Sequence, residues 1–97
     1  MIDDGENKYS FDVIFNQLCE QEDVFNSIGW RHIDTFFKGQ NSTIFTYGQT
    51  GSGKTFTMFG DLKDRHGYGL IPRTLEYIFL KKKEEDKITC SMVEIYN

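Results

Sequence analysis

Three segments of the chain have the apolar pattern of β-strands. The first, Tyr9–Phe15, alternates apolar and polar residues, as a half-buried strand does. The second, Thr43–Tyr47, is β-branched and aromatic, which predicts a buried strand. The third, Ile88–Tyr96, has apolar residues on both alternating faces and is predicted to be buried on both sides. Residues 1–8 are polar and predict a disordered or linker start, so the domain is expected to cover residues 9–97.

A first helix is predicted between the first two strands. Its start is rich in acidic residues, which complement the positive end of a helix dipole. Apolar or packing residues then recur at spacings of three and four, out to about Lys38: Phe25, Ile28, His32 and Phe36. Gly29 and Trp30 interrupt this pattern. The small polar residues of Gly39–Ser42 predict the turn that ends the helix.

A second helix is predicted to begin near Pro72, because proline is favoured in the first turn of a helix. Its apolar side carries Leu75, Ile78 and Phe79, and it ends at the charged run Lys81–Lys87. The order strand, helix, strand, loop, helix, strand predicts an α/β fold with a mostly parallel sheet. Such a sheet needs more strands than these three, so we expect a truncated version of the fold.

A glycine-rich segment follows the second predicted strand: Gly48, Gln49, Thr50, Gly51, Ser52, Gly53, Lys54 and Thr55. It matches the phosphate-binding pattern G-x-x-x-x-G-K-[ST] without a mismatch. The glycines allow successive backbone N–H groups to face phosphate oxygens, and a helix beginning near Gly53 adds its free N–H groups. Lys54 is expected to reach the β- and γ-phosphates, and the Thr55 hydroxyl to coordinate Mg²⁺. The segment therefore predicts triphosphate binding.

Composition narrows the class of protein. The chain has 97 residues, 38% hydrophobic and 27% charged, which predicts one soluble globular domain. A net charge of −4 argues against a nucleic-acid or anionic-membrane surface. No apolar run approaches the roughly 20 residues that cross a bilayer, and the acidic N-terminus is unlike a signal peptide. Cys19 and Cys90 fit no metal-ligand spacing, so a cytosolic protein with reduced thiols is expected.

Five stretches together resemble the kinesin motor domain. They are, in chain order, YSFDVIF, QEDVF, NSTIFTYGQTGSGKTFTM, GLIPR and VEIYN. Kinesins typically carry Y-x-F-D-x-V-F, N-[GA]-T-I-[FL]-A-Y-G-Q-T-[GS]-[ST]-G-K-T-x-T-M, G-[IL]-I-P-R and a strand ending in E-I-Y-N. Myosins, kinases and GTPases share the bare phosphate loop, but not the extended string through Tyr47 and Met58 together with GLIPR. The resemblance covers nearly the whole chain from Tyr9 onward.

The resemblance implies a partial three-layer αβα P-loop NTPase fold. It also implies an ATPase that moves along microtubules, located in the cytoplasm on the microtubule cytoskeleton. Gly48–Thr55 would hold the phosphates of ATP or ADP and, through Thr55, Mg²⁺. Phe56 would stack its ring on adenine, and the alternative is that Phe56 is a core residue of the helix start. Asp61–Gly69 would be the loop that interrupts the helix following the phosphate loop.

Several chemically suggestive residues are predicted to have structural roles. Asp64–Gly67 matches the D-x-x-G of a γ-phosphate sensor, but a polar segment precedes it where a sensor needs an apolar strand. In the resemblance, Glu94 belongs to a structural strand and is not a metal ligand. His32 is expected to be a packed histidine with its hydrogen bond satisfied. Lys81–Lys87 is expected to be a solvated connection without a microtubule contact.

The switch motifs of kinesins, N-x-x-S-S-R-S-H and D-x-A-G-x-E, do not occur in these residues, and neither does the adenine-contacting R-x-R-P. Kinesin class, direction of movement, cargo and oligomeric state are outside what this segment encodes. We therefore expect the N-terminal part of a motor domain, poorly folded and inactive when alone, whose tubulin contacts lie elsewhere. A truncated, non-motile nucleotide-binding fragment is the alternative. A small P-loop kinase would need clustered arginines, and the arginines are dispersed: Arg31, Arg65 and Arg73.

Overall fold

The fold is built mainly from helices. The computed structural model describes all residues from Met1 to Asn97. The α-helices are α1, Gln21–Val24; α2, Trp30–Phe37; α3, Lys54–Met58; and α4, Leu70–Lys81. A π-helical turn, Phe25–Gly29, joins α1 to α2, and a 3₁₀ turn, Arg65–Gly67, lies between α3 and α4. Two short strands, β1 (Ile2–Asp3) and β2 (Lys8–Tyr9), pair antiparallel. None of the helices has the length and apolar character needed to cross a bilayer.

The three predicted strands are not formed, so those predictions were wrong. Only Tyr9 of the first segment belongs to a strand, whereas Thr43–Tyr47 and Ile88–Tyr96 have no regular structure. No backbone hydrogen bond joins either of these two segments to the rest of the chain. A strand needs a neighbour to accept and donate its backbone hydrogen bonds. The apolar pattern describes the strand itself and does not supply that neighbour.

The first eight residues, predicted to be a disordered or linker start, contain a short hairpin in the structure. β1 and β2 form its arms. The carboxylate of Asp4 closes the turn by accepting hydrogen bonds from the N–H groups of Asn7 at 2.6 Å and Glu6 at 3.0 Å. These bonds, the one from Asn7 first, hold the pKa of Asp4 below its ordinary value, because they stabilise the ionised carboxylate.

The first predicted helix is present, and the π-helical turn in its middle changes which side is buried. The N–H of Trp30 donates to the carbonyl oxygen of Phe25, five residues back, so the turn contains one residue more than an α-helical turn. The extra residue rotates the rest of the helix. Ile33 and Phe37 therefore face the core, where the apolar periodicity predicted His32 and Phe36.

A small apolar core lies between this first helical segment and α4. The ring of Phe25 meets the ring of Tyr77 edge to face, with the centroids 6.1 Å apart. The Nζ of Lys81 donates to Oδ1 of Asp34 at 2.5 Å and joins the end of α4 to α2. This hydrogen bond raises the pKa of Lys81 above its ordinary value. The buried hydrophobic residues are Phe25, Ile33 and Leu70.

The second predicted helix begins slightly earlier than expected, at Leu70, with Pro72 in its first turn. Proline is tolerated there because the first N–H groups of a helix have no acceptor within the helix. Of the predicted apolar side, Ile78 packs against the core, whereas Leu75 and Phe79 are exposed. The start of α4 is therefore its best-packed part, and that end lies next to α3.

Gly29 lies against the ring of Phe25, and the variant Gly29→Ala tests this packing. A Cβ at this position would lie 2.4 Å from Cδ2 of Phe25. Because that ring is buried and packs edge to face against Tyr77, moving it would disturb the core. We expect a net destabilisation of about 1–3 kcal/mol, as for other overpacked cores. The measurement is the unfolding temperature of the natural full-length protein that carries these residues.

Asn26→Ala is the matched control, because Asn26 is on the exposed side of the same π-helical turn. Its unfolding temperature should remain close to that of the wild type. A Gly29→Ala protein that melts at or above the wild-type temperature would contradict the packing described here.

Candidate nucleotide-binding site

The glycine-rich segment Gly48–Thr55 forms a loop that leads directly into α3. Before the loop, Ile44 and Thr46 are half-buried, while Phe45 and Tyr47 are exposed. Ile44 packs against the apolar core. The segment before the loop therefore contacts the core through Ile44, and this contact holds the N-terminal side of the loop.

Three glycines of the loop have identifiable geometric roles. Gly51 and Gly53 have φ angles of 80° and 100°, in the left-handed region that favours glycine. At Gly48, an added Cβ would lie 2.5 Å from Oγ of Ser52, so a side chain would displace that hydroxyl. The N–H of Ser52 donates to the carbonyl oxygen of Gln49 at 3.1 Å and closes a turn. The backbone thus turns tightly here, as the motif predicts.

Backbone N–H groups at the end of the loop are free to bind a ligand. Those of Gly53, Lys54 and Thr55 donate to no acceptor within the chain. The carbonyl oxygen of Gly53 accepts from the N–H of Thr57 at 2.9 Å, which begins the helical hydrogen bonding of α3. Free N–H groups at the beginning of a helix favour bound anions because they carry partial positive charge.

The side chain of Lys54 adds a full positive charge to this loop. Its Nζ donates to the carbonyl oxygen of Gly48 at 2.5 Å, so the ammonium lies next to the first residue of the loop. The side chain of Thr55 is exposed beside it, and its hydroxyl is the type of hard oxygen ligand that Mg²⁺ takes. The residues present therefore fit a magnesium-bound phosphate group.

Phe56 follows the loop directly, and its side chain is 59% exposed. The structure therefore does not place it in the core, which was the alternative to a base-stacking role. Its carbonyl oxygen accepts a hydrogen bond from Nε2 of Gln21 at 2.8 Å. Sequence reasoning missed Gln21. The sequence contained one indication of its role. Gln21 lies four residues before Phe25, so both residues are on the same, buried side of the first helix.

The segment between α3 and α4 is a closed loop held by Arg73, whose role the sequence analysis also missed. Gly60 and Tyr68 form an antiparallel bridge at the base of the loop. The guanidinium of Arg73 donates to the carbonyl oxygens of Tyr68 at 2.7 Å and His66 at 2.9 Å. Arg73 is the last residue of the GLIPR stretch, so this stretch fastens the loop to the first turn of α4.

Two of the residues that were predicted to be structural have structural partners. Oδ1 of Asp64 accepts from the N–H of His66 at 3.1 Å and caps the 3₁₀ turn. The imidazole Nδ1 of His32 is hydrogen-bonded to the hydroxyl of Ser42, across the turn that follows α2. Glu94 was expected to belong to a structural strand, which is not formed, and its exposed carboxylate accepts from the hydroxyl of Tyr96 at 2.6 Å. That bond raises the pKa of Tyr96 above its ordinary value.

Comparisons with known proteins identify the family to which the chain belongs. A family model described as the kinesin motor domain matches residues 2–97. The chain belongs to the kinesin motor domain family. Kinesin-like protein KIF11-A of Xenopus laevis is 41% identical to it over 96% of this chain. Kinesin-like protein KIF15 of Strongylocentrotus purpuratus is 42% identical over 92%, and kinesin-like protein bimC of Emericella nidulans is 40% identical over 92%.

These relatives are much longer than the chain. It spans 10% of the length of KIF11-A, 7% of KIF15 and 8% of bimC. The family assignment therefore rests on a small part of the length of each relative.

A solved structure supports the same assignment. It is the structure of a fast kinesin, described with its implications for ATPase mechanism and interactions with microtubules. It superposes with a TM-score of 0.73 at 42% sequence identity, over 75% of this chain and 21% of that chain. The predicted fold class, a partial α/β fold of kinesin-motor type, is confirmed, although the individual strands predicted here are not formed.

Proposed function

We propose that the chain is the ATP-binding part of a kinesin-type motor that couples ATP hydrolysis to movement along microtubules. The observation that carries this proposal is the tight loop Gly48–Thr55, with free N–H groups and the ammonium of Lys54 at the start of α3. Such a loop is suited to phosphate because both groups offer positive charge without a competing carboxylate. The protein acts in the cytoplasm on the microtubule cytoskeleton.

In this proposal, each residue of the loop has a role toward the nucleotide. The backbone of residues 48–53 surrounds the phosphates of ATP or ADP, and Lys54 binds the β- and γ-phosphates. Thr55 supplies a hydroxyl ligand to Mg²⁺, an ion that neutralises phosphate charge when bound. Phe56 offers a flat, exposed ring on which adenine stacks.

Contacts with tubulin are proposed to lie outside these residues. The chain has a net charge of −4, whereas the surface of a microtubule is acidic and attracts basic surfaces. A second candidate function is nucleotide binding without movement. This candidate concerns the 97 residues taken by themselves, which contain neither switch motif. Groups that orient water and sense the γ-phosphate are needed for hydrolysis.

The variant Lys54→Ala tests the phosphate contact. We expect it to weaken binding of a fluorescent ATP analogue in the presence of Mg²⁺ by about 10- to 100-fold, because a charge-assisted hydrogen bond is lost. Binding of adenosine, which has no phosphate, should be unchanged. Phe56→Ala should instead weaken ATP and adenosine alike, by about tenfold, because base stacking is lost.

Two matched variants control these measurements. Lys63→Ala removes an exposed lysine outside the phosphate loop, and Phe11→Ala removes a ring that is also 59% exposed. Both should bind ATP as the wild type does. If Lys54→Ala binds ATP with wild-type affinity, the phosphate-loop assignment is wrong.

Microtubule-stimulated ATP hydrolysis separates the two candidate functions. We expect phosphate release by the natural full-length protein to increase when microtubules are added, because the family couples hydrolysis to them. The isolated 97-residue polypeptide should show no such increase, since it lacks both switch motifs. A natural protein that binds ATP through Lys54 without stimulated release would support the second candidate and contradict the motor.

A further inference from the structure

Gln21 is the one buried side chain among the polar and charged residues of the chain. It is 9% exposed and is the first residue of α1. Its Nε2 reaches across to α3 and donates to the carbonyl oxygen of Phe56 at 2.8 Å. The two residues are 35 positions apart, so the bond is a tertiary contact between two helices. A buried amide requires such a partner, because leaving it unpaired is unfavourable.

The carbonyl of Phe56 in turn has no partner within its own helix. α3 ends at Met58, so no helical N–H follows at the position that would bond to Phe56. The last carbonyls of any helix are in this situation and need an external donor. Gln21 therefore caps the C-terminal end of the short helix whose first two residues are Lys54 and Thr55.

Residues next to the donor are themselves hydrogen-bonded at the start of α1. At the start of α1, the N–H of Glu20 donates to Oδ2 of Asp23 at 2.7 Å. The carboxylate of Glu20 also pairs with Nε2 of His66 at 3.2 Å, in the loop that follows α3. The start of α1 thus contacts both the end of α3 and the loop beyond it.

We infer that Gln21 is a positioning residue for the phosphate loop: its amide holds α3 so that Lys54 and Thr55 keep the orientation in which they meet a magnesium-bound nucleotide. The inference rests on the proposed function of the loop. α3 is only five residues long and its hydrophobic contact with the core is made by the partly buried Met58, so packing alone fixes its direction weakly. One directional hydrogen bond to its far end limits how it can rotate.

The test is the variant Gln21→Met, which keeps a side chain of similar length but removes the donor. We expect the Kd of a fluorescent ATP analogue with Mg²⁺ to rise about tenfold in the natural full-length protein. The binding stoichiometry should stay at the wild-type value. A purely structural role would reduce the folded, binding-competent fraction and leave the Kd of that fraction unchanged.

Gln17→Met is the matched control, because Gln17 is exposed in the turn before α1. It should bind the analogue with wild-type Kd and stoichiometry. A wild-type Kd for Gln21→Met would overturn the inference, whether or not the stoichiometry falls.

Two further measurements separate the role of Gln21 from that of the phosphate loop. Lys54→Ala is titrated in parallel: if it weakens binding and Gln21→Met does not, only the positioning role fails. If Lys54→Ala has no effect, the proposed function of the loop fails. Should Gln21→Met not fold, selective nitrogen labelling of glutamine in the wild type replaces it. The side-chain amide signal of Gln21 should then shift with Mg·ATP and not with Mg²⁺ alone, and an unmoved signal would overturn the inference.

Discussion

The contact of Phe25 and Ile33 with Leu70 is the interaction on which the rest of the structure depends. These residues are the buried hydrophobic core, and they join the first helical segment to the start of α4. In sequence, the phosphate loop lies between the two partners. The contact therefore fixes both ends of the segment that contains the loop. Gln21 from one side and Arg73 from the other then attach α3 and the following loop to this frame.

The helices could be predicted from the sequence because their signals are local. The acidic first turn marks the start of α1, and Pro72 marks the first turn of α4. The side that each helix buries was harder to predict. A single i+5 hydrogen bond at Trp30 moves the core contacts by one residue, and no apolar periodicity reveals such a bond in advance. The strand patterns failed for another reason, since pairing depends on a neighbouring segment.

The tight backbone of the glycine-rich loop could be predicted from the sequence, whereas the residues that support the loop could not. Gly51 and Gly53 adopt the left-handed backbone that the motif requires, so the pattern of glycines carries its own geometry. Gln21 acts on the carbonyl of Phe56, and any residue type offers the same carbonyl to a distant donor. A sequence pattern cannot identify such a contact until the fold brings the two helices together. Arg73 binds backbone carbonyls as well and was missed for the same reason.

If residues 48–56 form the nucleotide site of a kinesin motor domain, nucleotide must protect their backbone N–H groups. Hydrogen–deuterium exchange of the natural full-length protein, with and without a non-hydrolysable ATP analogue and Mg²⁺, tests this most directly. We expect slower exchange of the backbone N–H groups of Gly53, Lys54 and Thr55 when the nucleotide is present, because they become hydrogen-bonded to phosphate. Exchange in residues 88–97 should not change. Unchanged exchange at residues 48–56 under saturating nucleotide would show that these residues do not form the nucleotide site.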